Sequence, residues 1–549
     1  MICEALLFLL SSCVFSAHSD CSYWENRESF LREERSMFLG ADIVLTAEEE
    51  EVNAILMKIK EKEYRKGFND PASFPPARHF FEVKEDIERS EVFRIIQLLP
   101  KGACLHGHDT AMVSSEFVLK NLTYMPDLYT CEDAEGVTLL RFFELPDQSC
   151  DWQLLSDLRF NATNVTALDE ELERHLSLFT SNPREAYPDV NTVWKVFEKI
   201  TKTVNGLVYY KPAFERYFYQ LLKEFHEDNI MYAELRSEVS GVNIHAYNTE
   251  RYPAVARIGL KNLNQVTCPD RDSNPGHLVS RPDALTVALQ VFELNGTLLP
   301  ETAVATIMKG ITQRFISDHP DFWGIKIIYT SFRRLEPSEV EQYIANALTL
   351  KEEHPDLIAG FDIIGQEDLG KPLKDFADLL LTVKDDIKFF FHAGETDWEG
   401  ITDLNLVDAV LLNATRIGHG YAILKHPLVL ETVKRLGIPI EVNPISNQVL
   451  LLVADLRNHP AATLIAENYH VVISSDDPGF WGAKGLSYDI YEAFMGLAGL
   501  EADLRVLKQL ALNSLRYSAL DEETKEDIIS AWEQTWTLFL NAVLNMTRH

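Results

Sequence analysis

Residues 388–394 read KFFFHAG and residues 471–477 read VVISSDD, two short runs that are apolar almost throughout and then break into histidine or carboxylate. A strand wetted on one face alternates apolar with polar residues. A run that stays apolar at successive positions is buried on both faces, the habit of parallel sheets. KIIYTSF at 326–332 has the same character. Working outward, eight such runs emerge, at 102–108, 231–236, 325–331, 358–365, 388–394, 416–420, 438–444 and 471–476, with helical stretches between them. Eight strands alternating with helices predict an α/β fold, a (β/α)8 TIM-type barrel whose chemistry sits at the C-terminal strand ends. Spacing is regular from the fifth strand to the eighth. The first two intervals are too long and require insertions.

The strand ends hold the reactive side chains. The first ends His106-Gly107-His108, and since strand side chains alternate, residues i and i+2 project together. The fifth supplies His392 and Glu395, the sixth His419, and the eighth Asp476 and Asp477. Singly each has a bland explanation: His419 as a satisfied core histidine, Asp476 as a helix cap. Together, three histidines and a carboxylate from strands one, five and eight form a nitrogen and oxygen donor set suited to zinc. Glu395, three residues beyond His392, should lie near the ion without binding it and can pass a proton to a substrate nitrogen. His419 could orient and deprotonate water activated by the metal. Asp477, on the opposite pleat from Asp476, should face the substrate rim.

Around the barrel the chain carries additions. Residues 20–99 are charged and helix-prone, an accessory layer or a dimerisation arm, with Val52, Ile55, Leu56 and Ile59 at helical spacing. An insertion at about 126–188 reads as a surface module, and Cys131 and Cys150 within it are expected to pair. A second, at about 252–290, contains QVTCPDRDSNPGHLVSRPDAL with neither strand nor helix period. It reads as a disordered loop or as sequence retained by a faulty gene model, so Cys268 and His277 carry no chemistry. Residues 1–19 read as a secretory signal peptide, with an apolar stretch from Leu6 to Phe15 and small residues before a cut at Asp20. Cys3 and Cys13 leave with it, Cys21 and Cys104 join the remaining thiols, and no C-x-x-C pair occurs. Sequons at Asn121, Asn161, Asn164, Asn295, Asn413 and Asn545 agree with export. With 549 residues, 46% hydrophobic, and a net charge of −33, the chain is globular and repels phosphate backbones, so a nucleic-acid polymer is excluded as partner. No later stretch approaches the ~20 uninterrupted apolar residues of a membrane span.

Five segments carry a family resemblance: LPKGACLHGHD (99–109), FFFHAGETDW (389–398), TRIGHGYA (415–422), IPIEVNPISNQVL (438–450) and ISSDDPGFWGAKGLSYDIYEAF (473–494). They resemble the adenosine deaminase family. More narrowly they look like its secreted adenosine deaminase 2 branch, the adenosine-deaminase-related growth factors. The resemblance covers about Leu99 to the C-terminus apart from the second insertion, and less sharply the N-terminal helices. It implies a metal-dependent deaminase barrel over residues 100–549, with one zinc ion per subunit on His106, His108, His392 and Asp476. It implies Glu395 as proton donor to purine N1 and His419 as the base acting on water. It further implies Asp477 facing N7, the Gly365 backbone at N3, and Asp109 and Trp194 on the ribose side, with Glu198 one helical turn on. The implied reaction hydrolyses adenosine, and 2'-deoxyadenosine with it, to inosine and ammonia. The branch also implies a homodimer formed by residues 20–99, and growth-factor activity with a cell-surface receptor or glycosaminoglycan as further partner.

Two positions depart from the family pattern. Phe332 and Gln366 stand where relatives can carry histidine, which touches substrate preference and not the metal chemistry. A binuclear amidohydrolase would need a lysine on the fourth strand, and IAGFDIIG has none. Deaminases with an H-x-E…P-C-x-x-C signature are excluded by the missing cysteine pair. The rival from another class is a receptor-binding growth-factor-like protein with a vestigial site. Every expected donor is present, which favours a working enzyme.

Overall fold

The computed structural model describes residues 23–239, 291, 293–294 and 297–546. The signal segment at 1–19, Cys3, Cys13, Cys21, the insertion at about 252–290 with Cys268 and His277, and the sequon at Asn295 all lie outside the described residues. In chain order the strands are β1 (Gly102–Cys104), β2 (Leu128–Glu132), β3 (Thr138–Phe142), β4 (Gln153–Leu154), β5 (Ile230–Ser237) and β6 (Ile325–Phe332). They continue with β7 (Ile358–Ile364), β8 (His392–Ala393), β9 (Ile417–His419), β10 (Ile440–Val442) and β11 (Val471–Ile473).

Eight of these close a parallel barrel. One run is ordered β1-β5-β6-β7 and the other β8-β9-β10-β11. Parallel bridges join the runs at both seams, Gly107 with Asp476 and Phe361 with Phe389. At the first seam Asp476 N–H donates to His106 O and His108 N–H to Asp476 O, each at 3.1 Å. The (β/α)8 barrel expected from the eight apolar runs is therefore the fold. The ladders are shorter than the runs: residues 388–394 give ladder bonds at His392–Ala393 and one bridge at Phe389, because strand tilt at a seam leaves isolated contacts.

Burial explains the apolar runs. All eight residues of β5 are buried. Yet the barrel interior holds five charged groups no more than 1% exposed: Glu234, Arg236, Asp362, Arg416 and Glu441. Arg236 pairs with Asp362 and Glu441, each at 2.8 Å. Arg416 pairs with Glu441 at 2.5 Å and Glu234 at 2.7 Å. Burying such groups is tolerable because each charge faces an opposite one and is hydrogen-bonded to it.

Two additions lean on the barrel. The helix Ala47–Asn69, opened by a Thr46–Glu49 capping box, packs beside the last helix, Glu522–Met546. Glu49 there accepts from Trp536 Nε1 at 2.8 Å and Lys508 Nζ at 2.5 Å. The buried Lys60 donates to Gly499 O and Ala502 O, both at 2.7 Å, beneath the Phe494 ring. The second addition is a small antiparallel sheet, β3-β2-β4, stapled by the Cys131–Cys150 disulfide. It rests on the helix Val190–Val208, where Thr203 Oγ1 donates to Thr138 O at 2.6 Å.

Candidate metal and catalytic site

His106 and His108 follow β1, His392 opens β8, and Asp476 follows β11. Their ligand atoms all lie within 4.8 Å of one another. His106 Nε2 and His108 Nε2 are each 3.2 Å from Asp476 Oδ1. Gly107, between the two histidines, bridges to Asp476 in parallel and leaves room for the Met112 side chain. Asp476 itself sits at φ +59°, a left-handed conformation that costs a residue with a Cβ about 1–3 kcal/mol and is kept where surroundings enforce it. The seam bonds on both sides of Asp476 supply that enforcement.

Behind the ligands stands a row of carboxylates. Glu441 Oε2 is 2.7 Å from His106 Nδ1, and Asp362 Oδ2 is 2.6 Å from His392 Nδ1. Each carboxylate accepts, so each Nδ1 carries the proton and each Nε2 presents a lone pair. Arg236, bridging the two carboxylates, fixes the spacing between the rings. Burial pushes His392 down to about 3, keeping it neutral. Burial opposes ionisation of Asp362 and Glu441, but the His392 imidazole and Arg236 beside Asp362, and Arg236 with Arg416 beside Glu441, hold both well below the usual carboxylate range.

Two of the converging atoms, His106 Nε2 and Asp476 Oδ1, are buried without a hydrogen-bond partner. Orphaned lone pairs aimed at one point are what a cation satisfies. Three imidazole nitrogens and one carboxylate oxygen make a donor set that fits a divalent transition ion such as zinc.

Glu395 and His419 complete a second constellation with Asp476, again within 4.8 Å. Glu395 Oε1 lies 3.4 Å from His419 Nδ1, and His419 Nε2 3.6 Å from Asp476 Oδ2. Glu367 receives the backbone N–H of Glu395 at 2.9 Å and of Gly394 at 3.2 Å, which anchors the loop. Burial, then the Asp476 and Glu367 carboxylates, push Glu395 well above its ordinary value, which favours its acid form. Burial followed by Asp476 and Glu395 does the same to Asp477. Burial also holds His419 well below the usual histidine range.

The mouth above these groups is a cavity into which Asp109, Trp194, Gly365 and Asp477 all project, alongside His108, His392, Glu395 and Asp476. Asp109 accepts from Ser237 Oγ at 2.6 Å, and burial pushes its pKa up to about 6. Phe332 lines the wall, with Arg334 stacked over its ring at 4.5 Å. Gln366 turns aside and donates to Asn191 Oδ1 at 2.9 Å. The expectation for Glu198 needs correcting. Its side chain is 60% exposed and 3.9 Å from Arg334, outside the cavity. Trp194, Phe197, Thr201 and Asn205 make the inward stripe of their helix, and Glu198 falls one step around from Phe197, toward water.

Sequence reading missed the supporting row. Asp362 in FDIIG and Glu441 in IPIEVNP were legible as lone charges inside apolar runs, and such a charge demands a partner. Arg236 in the run MYAELR was legible in the same way, whereas Glu367 had no comparable local signal.

Comparison with known proteins shows what the chain as a whole is similar to. The family model for adenosine deaminase matches residues 282–535, and the one for the adenosine/AMP deaminase N-terminal region matches residues 4–96. The chain is 40% identical to adenosine deaminase 2 of Homo sapiens over 545 residues, covering 98% of this chain and 97% of that one. It is 41% identical to an adenosine deaminase of Lutzomyia longipalpis over 524 residues, covering 94% and 93%. In fold it is similar to the Arabidopsis N6-mAMP deaminase, with a TM-score of 0.52, 16% identity and coverage of 80% of this chain and 99% of that one.

Proposed function

We propose, for a chain that belongs to the adenosine deaminase family and within it to the adenosine deaminase 2 branch, that it hydrolyses adenosine to inosine and ammonia. The observation that carries this is the meeting of four donor atoms beside a buried glutamic acid at the floor of a cavity. His106, His108, His392 and Asp476 would hold one zinc ion per subunit. The ion supplies a Lewis acid that brings the ionisation of water into the neutral range.

This chain's residues do the rest. The oxygen of a water that has given one proton up to solvent would bond to C6 of the purine as the C6–N1 double bond opens and Glu395 gives its proton to N1; the hydroxyl proton of the adduct then passes by way of the Glu395 carboxylate to the amino group, and the C6–N bond breaks to release ammonia. His419 would orient the water from the side facing Asp476. Asp477 takes the N7 edge, the backbone at Gly365 the N3 edge, and Asp109 with Trp194 the ribose. Gly365 sits at φ +101°, which brings its backbone to the cavity without a side chain intervening. The cavity has aromatic walls in Trp194, Phe197 and Phe332, suited to a planar base. 2'-Deoxyadenosine should be accepted as well.

We further infer secretion as a glycosylated homodimer, with growth-factor activity through lowering of extracellular adenosine. Asn121, Asn161, Asn164, Asn413 and Asn545 are all exposed, as glycan acceptors must be. The helix Tyr23–Ser36 carries exposed Tyr23, Trp24 and Phe30, an apolar face available to a second subunit. Among the described residues no helix is long and apolar enough to cross a membrane.

The test is the absorbance change of adenosine incubated with purified protein, with and without a chelator that is later replaced by zinc. Loss on chelation and recovery with zinc are expected. Adenosine left unchanged by fully zinc-loaded protein would overturn the reading and leave the receptor-binding alternative.

A further inference from the structure

His419 is held from behind by a chain of hydrogen bonds whose direction is fixed at its far end. The backbone N–H of Ala461 donates to His459 Nδ1 at 3.0 Å. An amide N–H can only donate, so Nδ1 of His459 is an acceptor and its proton must be on Nε2. Burial keeps this ring neutral, pushing its pKa down to about 3. His459 Nε2 lies 2.9 Å from Asn447 Oδ1, the acceptor end of that amide. The other end, Asn447 Nδ2, lies 2.9 Å from His419 Nδ1. Asn447 is fully buried and His459 is 2% exposed, so water does not compete for these bonds.

Each link constrains the next. With its oxygen engaged by His459, the Asn447 amide offers only N–H to His419, and a neutral imidazole accepts at one nitrogen alone. Nδ1 is that nitrogen. Nε2 therefore carries the hydrogen, and it faces Asp476 Oδ2 at 3.6 Å. Asn443 Nδ2 stands 3.4 Å from His419 Nε2, and with the two ends of that amide exchanged its Oδ1 would accept there from the Nε2–H.

We propose that His459 and Asn447 are positioning residues which lock His419 in the Nε2–H tautomer, so that it presents a hydrogen-bond donor to the reaction centre. The idea rests on the deaminase reading for its catalytic consequence, but the tautomer itself does not. His419 so locked steers the lone pairs of an attacking water and does not take its proton at Nε2. The left-handed backbone of His419, φ +60°, sets the ring position, and the relay sets which nitrogen is protonated.

The test combines imidazole 15N shifts with kinetics on the zinc-loaded, full-length protein. His419 signals are assigned by their absence in His419→Gln. The native protein should show a bare Nδ1 and a protonated Nε2. Asn447→Asp places a carboxylate where the amide donated, which should transfer the hydrogen to Nδ1. It should lower kcat about 10- to 100-fold with KM and zinc content little changed. His459→Leu should lower kcat similarly. His459→Gln, whose amide can accept from Ala461 N–H and donate to Asn447, should recover much of that loss, which a merely structural role would not predict. A native His419 protonated at Nδ1, or Asn447→Asp with native tautomer and kcat, would overturn the proposal. Failure of the deaminase reading would show instead as native protein leaving adenosine unchanged, on which the imidazole spectrum does not depend.

Discussion

Glu395 is asked to hold a proton at neutral pH and release it to a ring nitrogen, and its surroundings suit both. Burial disfavours its anion, and the nearby Glu367 and Asp476 carboxylates add repulsion. Its pKa is raised, so the acid form persists as pH climbs past the usual glutamate range, and activity should fall only on an alkaline limb well above 4.5. Glu395→Gln should erase that limb and reduce turnover by several orders of magnitude while folding and zinc content stay native. Unchanged turnover would remove Glu395 as the acid. Asp362→Asn should leave His392 without its carboxylate and weaken zinc affinity about 10- to 100-fold, read by competition with a chromogenic chelator. At this scale the convergence of His106, His108, His392, Asp476 and Glu395 was legible, because strand ends in a barrel meet at one mouth. Glu198 misled because helical spacing from Trp194 allowed two faces, and only packing decides which one looks inward.

The helix Val190–Val208 is the element on which substrate contact and the disulfide module meet. One face sends Trp194, Phe197 and Thr201 to the cavity, while Thr203 and Lys202 hold the small sheet through Thr138 and Asp133. Gly206 lets the two approach, since a Cβ there would stand 2.3 Å from Leu140 O. The disulfide closes a span of 19 residues, and its removal should cost the module about 3 kcal/mol. Cys131→Ser with Cys150→Ser should therefore lower the first thermal transition and raise KM for adenosine more than it lowers kcat. Equal kinetics in the reduced and oxidised forms would uncouple module from cavity. The strands were readable in sequence as doubly buried runs, but β8, at a seam, shrank to a two-residue ladder. Hydrogen-bond register at a barrel seam depends on tilt, which no local pattern encodes.

Across the whole molecule, the N-terminal layer is bolted to the barrel's last helices by charged side chains. Burial works against ionised Glu49, yet Lys508, the Thr46 N–H and Trp536 outweigh it and hold the carboxyl below its ordinary value. A depressed carboxylate stabilises above the unfolded value and ceases to as pH falls through the folded one. The contribution should thus be present at neutrality, begin to fade below about 4.5 and be gone once the pH has fallen past the folded value. Glu49→Gln should lose about 2 kcal/mol at pH 7, measured by urea unfolding, with the deficit shrinking as the pH is lowered through that window. Zinc at 100 times its Kd should add about 2.7 kcal/mol to the native state, so chelation should lower Tm. The layer's helices were evident from sequence, but its anchors, such as Glu49 to Trp536, join opposite ends of the chain and left no local trace. Because His106 and His108 must wait for Asp476 at the barrel's closing seam, a nascent chain still on the ribosome has no complete cage to offer until nearly all of it has been made. Loading with metal should thereby be a late event of biosynthesis, and a product terminated before Asp476 is expected to carry neither ion nor activity.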